Sequence, residues 1–361
     1  MTSQKERRPK MYKGKINQKR IISNEYVNTL EIYEHYIAID WSKRTMAIAR
    51  LTKMMREPKV IEVRSDVYDL KAYLKSLKGK KILTIEETTT SQWLYVELQG
   101  YADKVLICDP YRNRLLSDGS KNDKIDAIKL CLLLRNGLLK EVYHSLENRY
   151  RLRQQVSDYE DLVKSGVRLK NQLSAIFRAN GDEEIKDLVT KRIIARIGQN
   201  INLYEQQKEE YESIFNQEYQ KDKDINRLRS VNGIGFIRAV IIVSTVVDAR
   251  RFENDGQYLS YCGLIKHEKL SGGRSYGRRS PRYCRRLKSV YKSAAQTVIN
   301  SKDNSLKQYY KYLIDKGVSE DRSRNALARK IARITYGILK TKTNYKPYIW
   351  RENKAKEVNS K

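Results

Sequence analysis

The sequence predicts an α/β domain over roughly its first 145 residues and a mainly helical remainder, and three observations lead there. Short apolar runs of strand length come first, initially in succession and then alternating with amphipathic segments. A long charged stretch of helical period follows. Beyond it, further helical segments surround a centre rich in glycine and arginine. A chain of 361 residues is long enough for two domains that each bury a core.

Residues 1–30 read as a flexible basic arm, containing Pro9 and Gly14 among many Lys and Arg. Tyr36 to Asp40 is an apolar run ending in an acid, and Thr45 to Leu51 and Lys59 to Val63 are strands expected to pair with it in a meander. Asp66 to Leu77 has helical period, with Val67, Leu70, Leu74 and Leu77 on one face and Gly79 as a stop. Lys81 to Glu86 and Lys104 to Cys108 are further buried-type strands. Between them Ser91 is expected to cap a helix carrying Trp93, Leu94 and Leu98. A helix from about Asn122 to Leu134, ended by Asn136-Gly137, completes a domain of residues 31–147.

Residues 148–227 are expected to form a helical hairpin or coiled-coil arm, broken near Asn180-Gly181, with Leu162, Leu169, Leu173 and Ile176 as an apolar stripe and Leu203, Tyr211, Ile214 and Phe215 as a looser one. Such an arm could dimerise the chain, clamp nucleic acid or serve as a spacer. Residues 228–340 form a mainly α C-terminal domain, and 341–361 a polar tail.

Lys and Arg number 73 against 43 Asp and Glu, a formal charge of +30 that predicts a polyanionic partner. The excess is also local. Met1 to Arg20 holds eight basic residues against Glu6, and Lys266 to Lys292 holds ten against Glu268. The 26 Tyr suit stacking on exposed bases, although many must serve the core. The four Cys and three His are scattered, which excludes a zinc ribbon and argues against a disulfide framework. No apolar run is long enough to span a bilayer, and the basic N-terminus lacks the apolar core of a signal peptide, so a cytoplasmic protein without membrane partners is expected.

Four acids fall where chemistry can use them. Asp40 and Glu86 end strands, whereas Asp123 and Asp126 stand one helical turn apart at the start of a helix. An α/β sheet can bring strand ends and a helix start to one edge. Four carboxylates gathered there would oppose one another's ionisation unless a cation lay among them, and all-oxygen ligands suit Mg²⁺. Two such ions can act on both sides of a scissile phosphate. Taken singly, each acid could equally be a helix or turn cap. Glu87 is an alternative to Glu86, but strand alternation sends their side chains to opposite faces.

Farther on, Val231-Asn-Gly-Ile-Gly235 has the form of a helix-hairpin-helix turn, in which Gly233 and Gly235 let backbone N–H groups approach a phosphate. Then come Tyr261-Cys-Gly-Leu264, Leu270-Ser-Gly-Gly-Arg274 and a basic run containing Arg278, Arg279, Arg282, Arg285 and Arg286. With Arg274, these arginines are candidate phosphate contacts, because a guanidinium binds phosphate through two hydrogen bonds.

Asp40, Glu86, Asp123 and Asp126, with Lys121 beside the last pair as a nucleic-acid contact, resemble the DEDD motif of the transposases of insertion-sequence family one-ten, relatives of the Piv invertases. The C-terminal segments resemble that family's second domain, so the likeness covers residues 36 to about 300 in two halves. It implies an RNase H-like (RuvC-like) fold for the first domain, Mg²⁺ on the four acids and Ser271 as nucleophile, with Ser275 and Ser280 as fallbacks. It further implies DNA as donor and target, guidance by a structured RNA, and a homo-oligomer, dimer or tetramer. The sequence departs from the family at Glu86-Glu87-Thr88-Thr89, which lacks the usual glycine, and at Ser280-Pro281, where Gly-Asn is usual. Attack by Ser271 on a phosphodiester would leave a phosphoserine ester that a DNA hydroxyl can resolve, exchanging strands without outside energy. The rivals are a RuvC-like structure-specific nuclease using metal-activated water, and a non-catalytic nucleic-acid-binding scaffold.

Overall fold

The computed structural model describes residues 33–111, 122–144, 149–181, 185 and 187–347. The expected basic arm, Lys121 and most of the polar tail lie outside these residues. The chain divides into two compact units after Leu146.

The first unit is a five-stranded sheet in the order β3-β2-β1-β4-β5. Strands β1 (His35–Trp41), β2 (Thr45–Thr52) and β3 (Lys59–Arg64) form an antiparallel meander, and β4 (Lys81–Glu86) and β5 (Lys104–Cys108) continue it in parallel. Parallel neighbours need crossovers, which helices α1 (Val67–Ser76) and α2 (Ser91–Glu97) supply. Alternation along the strands sorts the core into two layers. Ile37, Ile39, Leu83 and Ile85 pack with Leu70 and Leu74 of α1 and Leu94 of α2. Tyr36, Ala38, Ala47, Ala49 and Cys108 pack instead on Ala127, Leu130, Cys131 and Leu134 of α3 (Asp123–Arg135). A mixed sheet covered on both faces in this order fits the RNase H-like arrangement.

Local capping explains the boundaries. Asp66 accepts from the N–H groups of Tyr68 at 2.7 Å and Asp69 at 3.2 Å, starting α1 where the pattern required. Asn122 does the same for α3 through Lys124 N–H at 3.0 Å. Ser91 is not the cap of α2: Thr90 holds that position, and Ser91 is buried inside the first turn, its hydroxyl donating to Thr88 O at 2.9 Å.

In the second unit, α4 (Arg149–Ala179) and α5 (Leu188–Tyr219) pair as a long helical hairpin. A plain helical arm would bury only its own seam. Here Leu152, Val156, Tyr159 and Phe215 near its base join the core of the following helices, so this end is continuous with that core. Farther out, Gly166 lets Tyr204 lie against the α4 backbone; a Cβ there would meet the ring at 2.4 Å. Leu162, Leu169, Leu173 and Ile176 are half-buried, whereas Leu203 is 51% exposed and leaves the expected stripe. The remaining helices are α6 (Lys223–Arg229), α7 (Phe236–Val246), α8 (Asp255–Tyr261), α9 (Arg285–Asn300), α10 (Ser305–Asp315) and α11 (Glu320–Thr341). Helix α7 is apolar all round and buried, as a central helix must be. The sequence reading missed one element, the antiparallel ribbon of β6 (His267–Ser271) and β7 (Arg274–Arg279). Its strands are exposed on both faces, so its polar sequence carries no apolar alternation to announce it.

Candidate active site

Strand register sets the carboxylate edge. Ile39 pairs with Ile85 between the parallel strands β1 and β4, so the next residues, Asp40 and Glu86, are neighbours on the sheet. Asp40 is paired with Ala47 and Glu86 with Cys108, and both of these partners pack in the α3 layer. Alternation therefore turns Asp40 and Glu86 towards the face that α3 covers. Glu87 falls on the other parity and is exposed. Helix α3 brings Asp123 and Asp126 in its first turn, where its N–H groups favour negative charge. The ion pair of Lys124 with Glu62 on β3, at 2.9 Å, ties the same end of α3 to the sheet.

These placements act on one another. Burial pushes the Asp40 carboxyl from 3.8 up to about 6, with the negative charges of Asp123 and Asp126 adding to the shift. A carboxyl raised by two neighbouring carboxylates is the signature of a site that gains from a cation. The donor set fits a hard divalent ion in type, being all oxygen and acidic. As placed, no group of three or more His, Cys, Asp or Glu among the described residues is close enough to hold an ion. A fifth acid, Asp109, is buried just beyond β5, but its carboxylate accepts from Tyr111 N–H at 3.0 Å and shapes the turn there.

The other candidates lie in the second unit. Ser271 ends β6 and pairs with Arg274 across Gly272-Gly273, whose φ values of 55° and 76° make the two-residue turn a type that L side chains resist. Ser271 and Arg274 therefore stand at the tip of the ribbon, with Arg278 and Arg279 towards its base, all exposed. Arg278 faces Glu268 at 3.9 Å, an exposed pair of little energetic weight. Ser275 is exposed on β7, and Ser280 follows its end. Gly233 has a φ of 85°, and a Cβ there would meet the Ala294 carbonyl of α9 at 2.6 Å, so its first role is close packing. Gly235 caps α7 in open space without a side-chain partner, the geometry that leaves N–H groups accessible. Arg282 and Arg285 are exposed. Arg286 is instead braced on α4, donating to Glu160 at 2.7 Å and Ser157 at 2.9 Å.

No helix among the described residues is long and apolar enough to cross a membrane.

Two family models match. A transposase model, that of the DEDD transposases of IS110 elements, covers residues 37–179, and the model described as the IS116/IS110/IS902 transposase family covers residues 225–311. A probable family 20 transposase of Pseudomonas aeruginosa is 31% identical over 131 residues, 35% of this chain and 38% of the relative. The transposase for insertion sequence element IS1328 of Yersinia enterocolitica is 22% identical over 211 residues, 54% of this chain and 63% of the relative. The chain thus matches less than two thirds of the length of either relative. The first model spans the acid-bearing sheet, the second the glycine turn and the serine ribbon, and both describe one family. The chain belongs to the IS110 family of transposases.

Proposed function

We propose that the chain is the transposase of an insertion sequence, cutting and rejoining DNA strands with Mg²⁺ at the acid edge and Ser271 as nucleophile. The observation that carries this reading is the placement of Asp40 beside Asp123 and Asp126 at the ends of the central strands, where the three charges raise the Asp40 pKa. Asp40, Glu86, Asp123 and Asp126 are the residues that would hold the metal. When bound, it neutralises charge that gathers on the phosphoryl oxygens.

The chain's own residues account for the rest. Ser271 Oγ forms a bond to phosphorus as the bond from phosphorus to one deoxyribose oxygen breaks. The serine proton leaves to a base, and the departing sugar oxygen ends as a hydroxyl. A hydroxyl of the incoming strand then reverses the exchange and restores the serine. Arg274 pairs with Ser271 across the turn, which suits it to the phosphoryl charge. Arg278, Arg279, Arg282 and Arg285, with Lys121, supply backbone contacts. Family membership and the charge of +30 support a structured guide RNA and a homo-oligomer as partners.

The experiment is to trap a covalent DNA adduct on the full chain with Mg²⁺, the ends of its element and the RNA transcribed from it, then map the attached residue. Attachment at Ser271 supports the reading. Cleavage that persists without any adduct in Ser271→Ala identifies a nuclease that uses water, and the serine role is lost.

A further inference from the structure

Three arginines converge on the start of α9 from separate elements. Arg153, Ser157 and Glu160 lie on one stripe of α4, at spacings of four and three residues. Arg286, in the first turn of α9, docks on that stripe through Glu160 at 2.7 Å and Ser157 at 2.9 Å. Arg153, one turn earlier, reaches the Ser244 carbonyl of α7 at 3.4 Å. Arg251 sits over the rings of Phe252 at 4.6 Å and Tyr261 at 4.7 Å, and the Tyr261 carbonyl accepts the N–H of Cys284, the cap residue of α9, at 2.8 Å. The cluster is thus closed by α4, the end of α7, the turn after it and the α9 N-terminus.

The charges there do not balance. The groups acting on Arg153 are Tyr261, Arg251, Arg286 and Cys284, with no carboxylate among them; burial is the main influence lowering its proton affinity, and the two arginines add to it. Glu160 is taken up by Arg286, and Asp161, which also feels Arg286, is held by Lys164 at 2.7 Å. Arginine cannot relieve such crowding by losing its proton. Helix α9 adds to the imbalance. Arg285 and Arg286 occupy the end of the helix where its dipole favours anions, and its cap makes no side-chain hydrogen bond. A local arrangement this unfavourable in the free protein is the mark of a group that is completed by a ligand.

We propose that Arg153, Arg251, Arg286 and the α9 N-terminus form a binding site for a single phosphate of the DNA backbone, an anchor separate from the serine ribbon. The site rests on the reading of the chain as a DNA transposase. A phosphate here accepts from the guanidinium forks and from the first N–H groups of α9, and brings in the negative charge the cluster lacks. Because Arg153 and Arg286 are half-buried and mutually braced, this contact fixes the register of the bound strand.

The test compares the full-length protein with Arg153→Gln, Arg251→Gln and Arg153→Lys, using a fluorescein-labelled random-sequence DNA duplex across a potassium chloride series. Each Gln variant is expected to bind about tenfold more weakly and to lose about one counterion from the salt slope. Arg153→Lys keeps the slope but recovers only part of the affinity. In phosphate-free buffer the melting temperature of Arg153→Gln equals or exceeds that of the parent, because a repulsion has been removed. Equal affinity and slope in parent and variants overturns the site. A lower melting temperature alongside the weaker binding overturns it in favour of a structural role. Phosphate that raises the parent's melting temperature more than the variant's, with duplex binding unchanged, assigns the cluster to a free anion and overturns it as a DNA anchor. If the parent itself fails to bind DNA, the transposase reading fails.

Discussion

Asp126 lies close enough to Asp40 that its charge helps to hold a proton on a residue of another element, although Asp40 ends a strand and Asp126 begins a turn of helix. The free energy of that repulsion is stored in the folded chain. With the Asp40 pKa raised from 3.8 to about 6 in the folded state, folding loses stability as pH climbs through this window and stays lower above it. At about 1.4 kcal/mol per unit, the cost at neutral pH is on the order of 2–3 kcal/mol. Asp40→Asn removes it. The variant is expected to melt several degrees higher than the parent at pH 7.5, to match it near pH 4, and to have no strand-transfer activity; an unchanged melting temperature at pH 7.5 would dispose of the repulsion.

The same proton competes with metal. Below about pH 6, Mg²⁺ must displace it, so apparent affinity is expected to fall up to tenfold per pH unit there and to level off above. Stabilisation of the first melting transition by Mg²⁺, measured between pH 5 and 8, reads this directly. A flat profile would separate Asp40 from metal binding.

Parity distinguishes the adjacent glutamates. Glu86→Gln is expected to reduce Mg²⁺-dependent cleavage at least a hundredfold and Glu87→Gln less than threefold, because only Glu86 shares the face of Asp40. The reverse order would mean that the strand end twists when the site is loaded.

Gly233→Ala places a methyl group against the Ala294 carbonyl at a φ of 85°. A destabilisation of about 2–3 kcal/mol is expected, seen as a fall in the second unit's melting transition with the first unit's unaffected. Gly235→Ala, whose Cβ would meet nothing, is expected to leave that transition in place.

The sheet was readable because burial on both faces writes itself into apolar runs, as at Ile82 to Ile85, and because Asp66 and Asn122 are strong caps. The four acids were readable because each sits at an element boundary, where a side chain at a strand end or first turn has a known direction. Cooperation among distant residues leaves no such trace. Nothing around Arg153 or Arg251 in the sequence distinguishes them from the many other arginines, since their significance comes from packing α4 and the turn after α7 beside α9. The ribbon was hidden for the opposite reason: solvent on both sides removes the period on which strand recognition depends. Leu203 misled because helical spacing alone does not say which side of a helix meets its partner.

A hairpin whose two strands are wet along their whole length has no wall with which to shield a reaction at its tip. An ester formed on Ser271 would stand in open water, vulnerable to hydrolysis that would leave a broken chromosome. The enclosure must therefore come from the nucleic acid itself, laid over the turn as a roof. Chemistry on such a ribbon begins when the duplexes are assembled around it, and a lone end that reaches the serine finds an unfinished room.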